Sequence, residues 1–588
     1  MKNCKKSFPQ SNSCYFSSRK ENAPKMRSDS AGLPDFIEHW NPKLFRQVGY
    51  GLSGMTIGSV LLQYWELASI FFVTQGLYWY VGLNDMKQSD LVIKRNFPVL
   101  GNVRYILEVI RPEIRQYFIE GDHDKLPFSR VQRHIVYNRS IGNDSSIMPF
   151  GTKFNTDQVG YEWCNHSLYP TKLNVDDQRV IIGKNNPDST KQPYSSSLYN
   201  ISAMSYGALS DRAIQSLSMG ANLGKFSHNT GEGGISEFHK QGNADLVWNI
   251  GTAYFGCGKF DDSGKVRIFD DELFKKNATY AKMIEIKLSQ GAKPAHGGML
   301  PKEKVSKSIA DARNLPYPMT VDCNSPPCHT AFSNPNELCD FIAKLKRLSD
   351  GKPIGIKLCV GQPEEFSALV HAFLKSGVHP DFITIDGAEG GTGAAPVEFS
   401  NFVGTPLFSA LSFVHAILVG TGYRDPNDKS KSKIALIASG KIVSGDDMYK
   451  TFALGADICN AARPFLFSLG CIQALKCHTN KCPTGITTQK PELTWGLDPA
   501  SKHVRVANFQ RATVKACVEL MEATGVPSWA HIKPHHVVRR VDTVGHCRHY
   551  GELYEHLMVE KGQLLEGKGP TRLLNSWDLD DGIVVRSL

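Results

Sequence analysis

From about residue 198 the chain repeats one pattern: a short apolar run ends in Gly, Ser, Asn or a polar cluster, and a helical stretch follows. Eight runs fit it: Ile201 to Met204, Gly224 to Ser227, Ile284 to Leu288, Met319 to Cys323, Ile354 to Leu358, Phe382 to Ile385, Ile434 to Ala438, and Asp457 to Asn460. Alternating strand and helix signals predict a parallel sheet, and eight such units predict an α/β fold closed into a (β/α)8 TIM barrel. Upstream the pattern changes. Val48 to Leu83 is a 36-residue stretch whose only acid or base is Glu66, with Tyr78, Trp79 and Tyr80 near its far end. A spanning helix takes about 20 mostly apolar residues, with aromatic side chains at the interface. The stretch therefore predicts a membrane anchor of one or two passes, and a buried helical hairpin is the alternative. The resulting division is a polar, disordered tail over 1–47, a hydrophobic transmembrane segment over 48–84, a connecting module over 85–197, the barrel over 198–535, and a C-terminal extension over 536–588.

Charge and cysteine usage narrow the setting. Of the net charge of +10, about half lies in residues 1–30, where seven Lys or Arg face two acids. No basic array suggests a nucleic-acid partner. The 14 cysteines lack small-scaffold spacing, and a chain of 588 residues needs no disulfide staples, which points to a reducing compartment. The expected location is a membrane with the catalytic body on the cytoplasmic side. Lys43 and Arg46 precede the apolar stretch and Lys87, Lys94, Arg95 and Arg104 follow it, so flanking charge does not choose an orientation.

The candidate chemistry lies where the strands end, the face on which such barrels carry their active sites. Ser205-Tyr206-Gly207-Ala208, the run His228 to Gly234, Gln290 to Pro294, and Asp386 to Gly393 all follow apolar runs. Glycines let backbone approach a ligand closely and offer amide donors, as a flat cofactor with a phosphate tail requires. Ser439-Gly440-Lys441 and Ala461-Ala462-Arg463 follow the last two runs, where barrels often build a phosphate site; Arg463 reads equally as a surface or ion-pair residue. Lys357, inside an apolar strand, needs an anionic or polar partner. Either it faces the electron-rich edge of a flavin or it pairs internally with Asp386. Finally, Cys471, Cys477 and Cys482 are spaced C-x5-C-x4-C and closed by Pro483-Thr484-Gly485. Three thiolates suit a [3Fe-4S] cluster, and zinc with His478 as fourth ligand is the chemical competitor.

With these motifs in place, residues about 195–535 resemble the FMN-binding synthase domain of glutamate synthases. Ile201 to Ser210, Asn229 to Gly234, Glu285 to Pro294, Asp386 to Pro396, Gly455-Ala456 and Gly470 to Gln489 are similar to that family's signature blocks, in the family's order. With the N-terminal stretch included, the chain looks closest to a shorter membrane-linked group, the glutamate synthase-related proteins. The resemblance implies FMN at the barrel mouth, held by Met204, Ser205, Asn229, Gln290, Lys357, Gly391, Ser439, Gly440, Ala462 and Arg463. It implies a [3Fe-4S] cluster on Cys471, Cys477 and Cys482, in the loop 471–482. It implies reduction of 2-iminoglutarate, formed from 2-oxoglutarate and ammonia, to L-glutamate. Gln290, Lys293 and Arg313 would hold the oxo acid, since Arg and Lys bind carboxylates through charge-assisted bonds. Glu232 and Lys293 are the expected catalytic pair, with Glu232 moving a proton or binding ammonium.

Three departures bear on function. Synthases usually read Gly-Glu-Gly-Gly-Gln-Leu-Pro after the Lys-Pro pair, whereas this chain has Ala295-His296-Gly297-Gly298-Met299-Leu300-Pro301. A thioether stands where an amide would donate, and losing a polar recognition group shifts specificity by orders of magnitude. No amidotransferase domain with an N-terminal Cys nucleophile is read, because Met1-Lys2-Asn3 opens a polar tail; ammonia is expected free or from a separate subunit. No nucleotide-binding βαβ fingerprint is read either, so a ferredoxin-like or other redox partner is expected as electron donor. The competing functions are an N-methylglutamate synthase-like or other 2-oxo acid oxidoreductase on the same apparatus, and a membrane-tethered electron-transfer subunit.

Overall fold

The computed structural model describes residues 39–124, 127–143, 150–264 and 266–578. Residues 1–38 of the expected polar tail and 579–588 of the C-terminal extension lie outside the described residues. The described residues fall into two compact units, divided between Glu120 and Gly121.

In the first unit, Asn41 caps a helix over Pro42–Leu61 by accepting from Lys43 N and Leu44 N, as N-cap side chains do. The chain turns at 62–64, with Gln63 at φ 60, and a second helix runs over Trp65–Lys87. The two pack through an aromatic knot: Phe45 is buried, stacked 4.8 Å from Tyr78 and edge-on to Trp79 at 5.3 Å. Gly82 permits this approach, because a Cβ there would lie within van der Waals radius of the Phe45 ring. Among the described residues no helix is long and apolar enough to cross a membrane, so the transmembrane expectation for 48–84 is unsupported; the segment is a helical hairpin, but not the buried one considered as the alternative, since Met55, Ile57, Phe72 and Tyr80 are exposed. The physical reason is dilution and interruption. Ser53, Thr56, Ser59, Ser69 and Thr74 place hydroxyls along both helices, each returned to the carbonyl four residues earlier, and the turn at 62–64 divides the apolar run.

The second unit is built on a closed, all-parallel barrel whose strands follow sequence order around the ring. We number them β1 (Tyr199–Ile201), β2 (Ser227–Asn229), β3 (Asp245–Ile250), β4 (Ala281–Lys287), β5 (Ile354–Leu358), β6 (Phe382–Asp386), β7 (Ala435–Ser439) and β8 (Ile458–Ala461). The ring closes where Cys459 and Ala461 of β8 pair with Tyr199 and Ile201 of β1. Seven of the eight expected strands overlap these, and one does not. The run Met319 to Cys323 contributes only Cys323 to a two-stranded antiparallel ribbon, Met299–Leu300 with Cys323–Asn324. The barrel strand in its stead is β3, where residues 246–250 are all buried, with Trp248 at the centre stacked on Phe274. Parallel strands covered on both faces read as continuous apolar runs, and Asp245-Leu-Val-Trp-Asn-Ile is one.

The N-terminal end of the barrel is stitched by saturated carboxylates. Asp381, fully buried, accepts from Asn186, Thr190, Lys346 and Ile354 N. Asp457 takes both Arg424 guanidinium nitrogens at 2.6 and 2.8 Å and the Leu436 amide at 2.7 Å. A separate three-stranded antiparallel sheet joins Glu162–Cys164 to Val537–Arg540 and Cys547–His549.

Candidate active site

Side chains two residues apart on a strand share a face, and inside the barrel this places an acid at the centre of an amide and hydroxyl set. Glu285 of β4 is 1% exposed and accepts from Asn229 of β2 at 2.7 Å, from Thr384 of β6 at 2.6 Å, and from Asn249 of β3. One layer higher, Lys357 of β5 pairs with Asp386 at the end of β6, 3.3 Å away, the internal partner considered for it from the sequence. Burial works to lower the Lys357 pKa, but Asp386 and Glu285 hold it above its ordinary value.

Above this layer the loops after β1, β2, β4 and β6 interlock through glycines. Gly231, at φ +64, lies against Ser205 N and the Met204 carbonyl carbon, where a Cβ would come within 2.5 and 2.7 Å. Asn229 Oδ1 accepts from Gly231 N, so the same side chain serves Glu285 and the turn. Gly291 leaves no room for any side chain against the Gly387 carbonyl, and its amide donates to Asp386.

The acid and the cations expected to handle substrate converge here. Glu232, after β2, forms an ion pair with Lys287 of β4 at 3.0 Å. Burial pushes its carboxyl up, but Lys287, with Arg313 and Lys293 beyond it, holds it below the ordinary range. Lys293 is 2% exposed and donates to Gly297 O at 2.7 Å; burial lowers its pKa. Arg313 donates to Tyr206 O at 3.2 Å and to Cys323 Sγ at 3.4 Å, lies over the Phe255 ring, and keeps a buried, unpartnered Nε. Gln290 begins the same loop, and its carbonyl accepts from Lys293 N. In the departing segment, Gly298 abuts the Glu232 carboxylate, Met299 is 46% exposed, and His296 packs on Phe399.

At the ends of β7 and β8, Ser439 Oγ lies 3.2 Å from Ser202 Oγ, and Gly440 packs on Leu407 and the Glu389 carboxyl, whose pKa burial raises. Ala462 precedes a short helix over Arg463–Leu469. Arg463 reaches across to donate to Glu389 O at 2.6 Å and lies 2.9 Å from where a Gly391 Cβ would stand. These residues stand at the C-terminal ends of β7 and β8, where glycine backbone and a cation suit a phosphate-bearing flat cofactor such as FMN.

The cysteine loop adjoins this mouth: Gly393, after β6, packs directly on the His478 backbone. The three cysteines sense one another electrostatically. Burial raises the Cys471 thiol to about 12 and also raises Cys477, whereas at Cys482 burial is outweighed by hydrogen bonds from Thr484 and Thr487, which hold the thiol below its ordinary value. Gln473, Leu475 and Asn480 adopt left-handed backbone, a conformation that persists where surroundings over-determine it. Among the described residues no three His, Cys, Asp or Glu side chains converge as ligands of one metal ion. A cluster poses a different demand, since each cysteine takes its own iron and the sulfurs surround a core. The Gln473 amide donating to Cys471 Sγ and the Thr484 hydroxyl 3.3 Å from Cys482 Sγ suit thiolate ligands of that kind.

Several residues here went unread in the sequence. Lys287 and Glu285 share a strand face two residues apart, a period-two signal that could have found them. Tyr137 donates to Cys471 O at 2.6 Å, and Phe128 lies beneath the Arg463 guanidinium at 4.7 Å and edge-on to Phe467; no local pattern announces a contact across so long a separation. Lys304, buried beside the cysteine loop, also went unread.

Comparison with known proteins settles the family. Residues 156–527 match the model described as "Conserved region in glutamate synthase". The chain belongs to the glutamate synthase family. The glutamate synthase large subunit-like protein YerD of Bacillus subtilis is 38% identical over 509 residues, covering 79% of this chain and 93% of YerD. An archaeal glutamate synthase [NADPH] of Archaeoglobus fulgidus is 35% identical over 328 residues, covering 55% of this chain and 58% of its own length. The match thus spans little more than half of the archaeal synthase. Among solved structures, a flavocytochrome b2 with sulfite bound aligns over 79% of this chain and 92% of its own, at 14% identity and TM-score 0.38, too distant to support an argument.

Proposed function

We infer that this member of the glutamate synthase family is an FMN- and [3Fe-4S]-dependent oxidoreductase that reduces 2-iminoglutarate, formed from 2-oxoglutarate and ammonia, to L-glutamate. One observation carries the reading: Glu232 pairs with Lys287, and the charges of Lys293 and Arg313 also bear on it, beside the glycine loops and the cysteine loop. A dicarboxylate substrate needs such an excess of cations. The unpartnered Arg313 Nε and the Lys293 ammonium, held on a single carbonyl, are the donors for its carboxylates. Glu232, kept ionised by its neighbours, accepts and returns a proton at the substrate nitrogen. FMN, once bound, would supply the hydride, and a [3Fe-4S] cluster held by Cys471, Cys477 and Cys482 would supply single electrons from a ferredoxin-like donor. Lys357, paired with Asp386, keeps a buried positive charge at the C-terminal ends of the strands. Ammonia enters free or from a separate subunit.

A second reading follows from Met299. It is half exposed and belongs to the segment whose Gly298 abuts Glu232; a thioether in that segment, where an amide would donate, favours a substrate with an apolar group, an N-methylated amine or another 2-oxo acid.

The deciding experiment is an anaerobic visible and EPR spectrum of the purified chain, titrated with 2-oxoglutarate, followed by turnover with a reduced carrier and ammonium. A flavin spectrum perturbed by the acid, an oxidised [3Fe-4S] signal and glutamate formation are expected. Flavin and cluster without glutamate, but with turnover of another oxo acid or of methylamine, replaces the first reading with the second. Silence toward every acid leaves an electron-transfer subunit.

A further inference from the structure

Other buried lysines in this molecule lie by carboxylates: Lys346 pairs with Asp381 and Lys357 with Asp386, while Lys293 and Lys429 donate to backbone carbonyls within reach of the charges of Glu232 and Asp457. Lys304 does not. It is 5% exposed, and its ammonium donates to two backbone carbonyls, Cys477 O and Thr487 O, each at 3.1 Å. No carboxylate lies within ion-pair distance of it among the described residues; the ionisable groups that act on it are the thiols of Cys477 and Cys482. A buried cation without a counter-charge is costly, and negative charge gathered on the neighbouring cysteine loop would offset that cost.

We propose that Lys304 is the counter-cation of the cluster held by Cys471, Cys477 and Cys482, a positioning residue that ties the two ends of the 477–487 loop together and favours the cluster's reduced state. The inference rests on the cluster reading given under Proposed function. Three thiolates give such a cluster a net negative charge, and its potential responds to nearby charge and hydrogen bonding. A cation fixed at the Cys477 carbonyl stabilises the added electron. By its two hydrogen bonds it also keeps Cys477 and Cys482 in register without touching their sulfurs.

The test uses the full chain, purified anaerobically, with iron and sulfide quantified and the midpoint read by EPR-monitored potentiometry in wild type, Lys304→Gln and Lys304→Arg. Lys304→Gln keeps a donor without charge; Lys304→Arg keeps the charge. With cluster content equal, Lys304→Gln is expected to lower the reduced-to-oxidised ratio at the wild-type midpoint about tenfold, about 59 mV for a one-electron couple, while Lys304→Arg stays near wild type. Loss of the cluster in Lys304→Gln alone supports the same need for charge. An unchanged midpoint in Lys304→Gln, an equal shift in both variants, or loss of the cluster in both with the fold intact by circular dichroism overturns the proposal. Absence of iron from the wild type is a different outcome, and it removes the cluster reading itself.

Discussion

At the N-terminal end of the barrel, Asp457 takes both Arg424 nitrogens and the Leu436 amide, and Asp381 takes four donors. At the C-terminal end, Glu232 has one close cation, Arg313 leaves a buried nitrogen unpartnered, and Lys293 spends its ammonium on a single carbonyl. The residue types are the same, but the saturation differs. Hydrogen bonds complete at one end fix the strand register. Those left incomplete at the other are capacity held for a ligand, because a buried polar group lacking a partner is costly until something binds it.

The contrast breaks most sharply at Asp457. Replacing it with Ala leaves the Arg424 guanidinium buried and unpaired, and removal of one member of a buried pair costs about 3–5 kcal/mol. Denaturant unfolding should show that loss, and a change below 1 kcal/mol would mean the N-terminal end is not the structural one. Glu232→Gln should do the reverse. Turnover is expected to fall roughly 10²–10⁴-fold, the usual range for a lost proton-transfer group, at a smaller stability cost than Asp457→Ala. Full activity in the variant would remove Glu232 from proton transfer. Arg313→Lys keeps charge but not the planar fork. KM for the acid should rise with little change in kcat, by about 1.5–3 kcal/mol in binding, and steady-state kinetics read the split. An unchanged KM would place the carboxylate elsewhere.

The smallest effect concerns charge that neither end uses. His228 is fully buried with both ring nitrogens unpartnered, 5.1 Å from the His239 ring, and burial lowers its pKa from 6.5 to about 3. Between those values the unfolded chain binds a proton that the folded chain refuses, so stability is full above pH 6.5 and is lost as pH falls toward 3. From pH 7 to 6 the loss is on the order of 0.7 kcal/mol. His228→Leu should flatten that slope in unfolding midpoints measured across the interval; an identical slope would assign the acid sensitivity to other groups.

What could be read in advance followed from locality. Strand, turn and glycine signals are properties of neighbours in sequence, so seven barrel strands, the glycine loops and the cysteine spacing were visible. Met319 to Cys323 misled because a short apolar run looks alike in a barrel and in a ribbon, while β3 was passed over although Gly251 closes its apolar run. The apolar stretch at 48–84 misled for the opposite reason: its absence of charge was plain, but its interruption at 62–64 and its close helix pairing through Gly82 depend on the fold. Lys304, Phe128 and Tyr137 reach the site only because the chain returns on itself.

That return has a practical meaning for how the protein is divided. The region matched as conserved in glutamate synthases begins at residue 156, yet the hydroxyl that braces Cys471 belongs to Tyr137, and the ring beneath Arg463 belongs to Phe128. The conserved core and the working module therefore have different borders. A fragment trimmed to that core would keep every barrel strand and lose the Tyr137 and Phe128 contacts to Cys471 and Arg463.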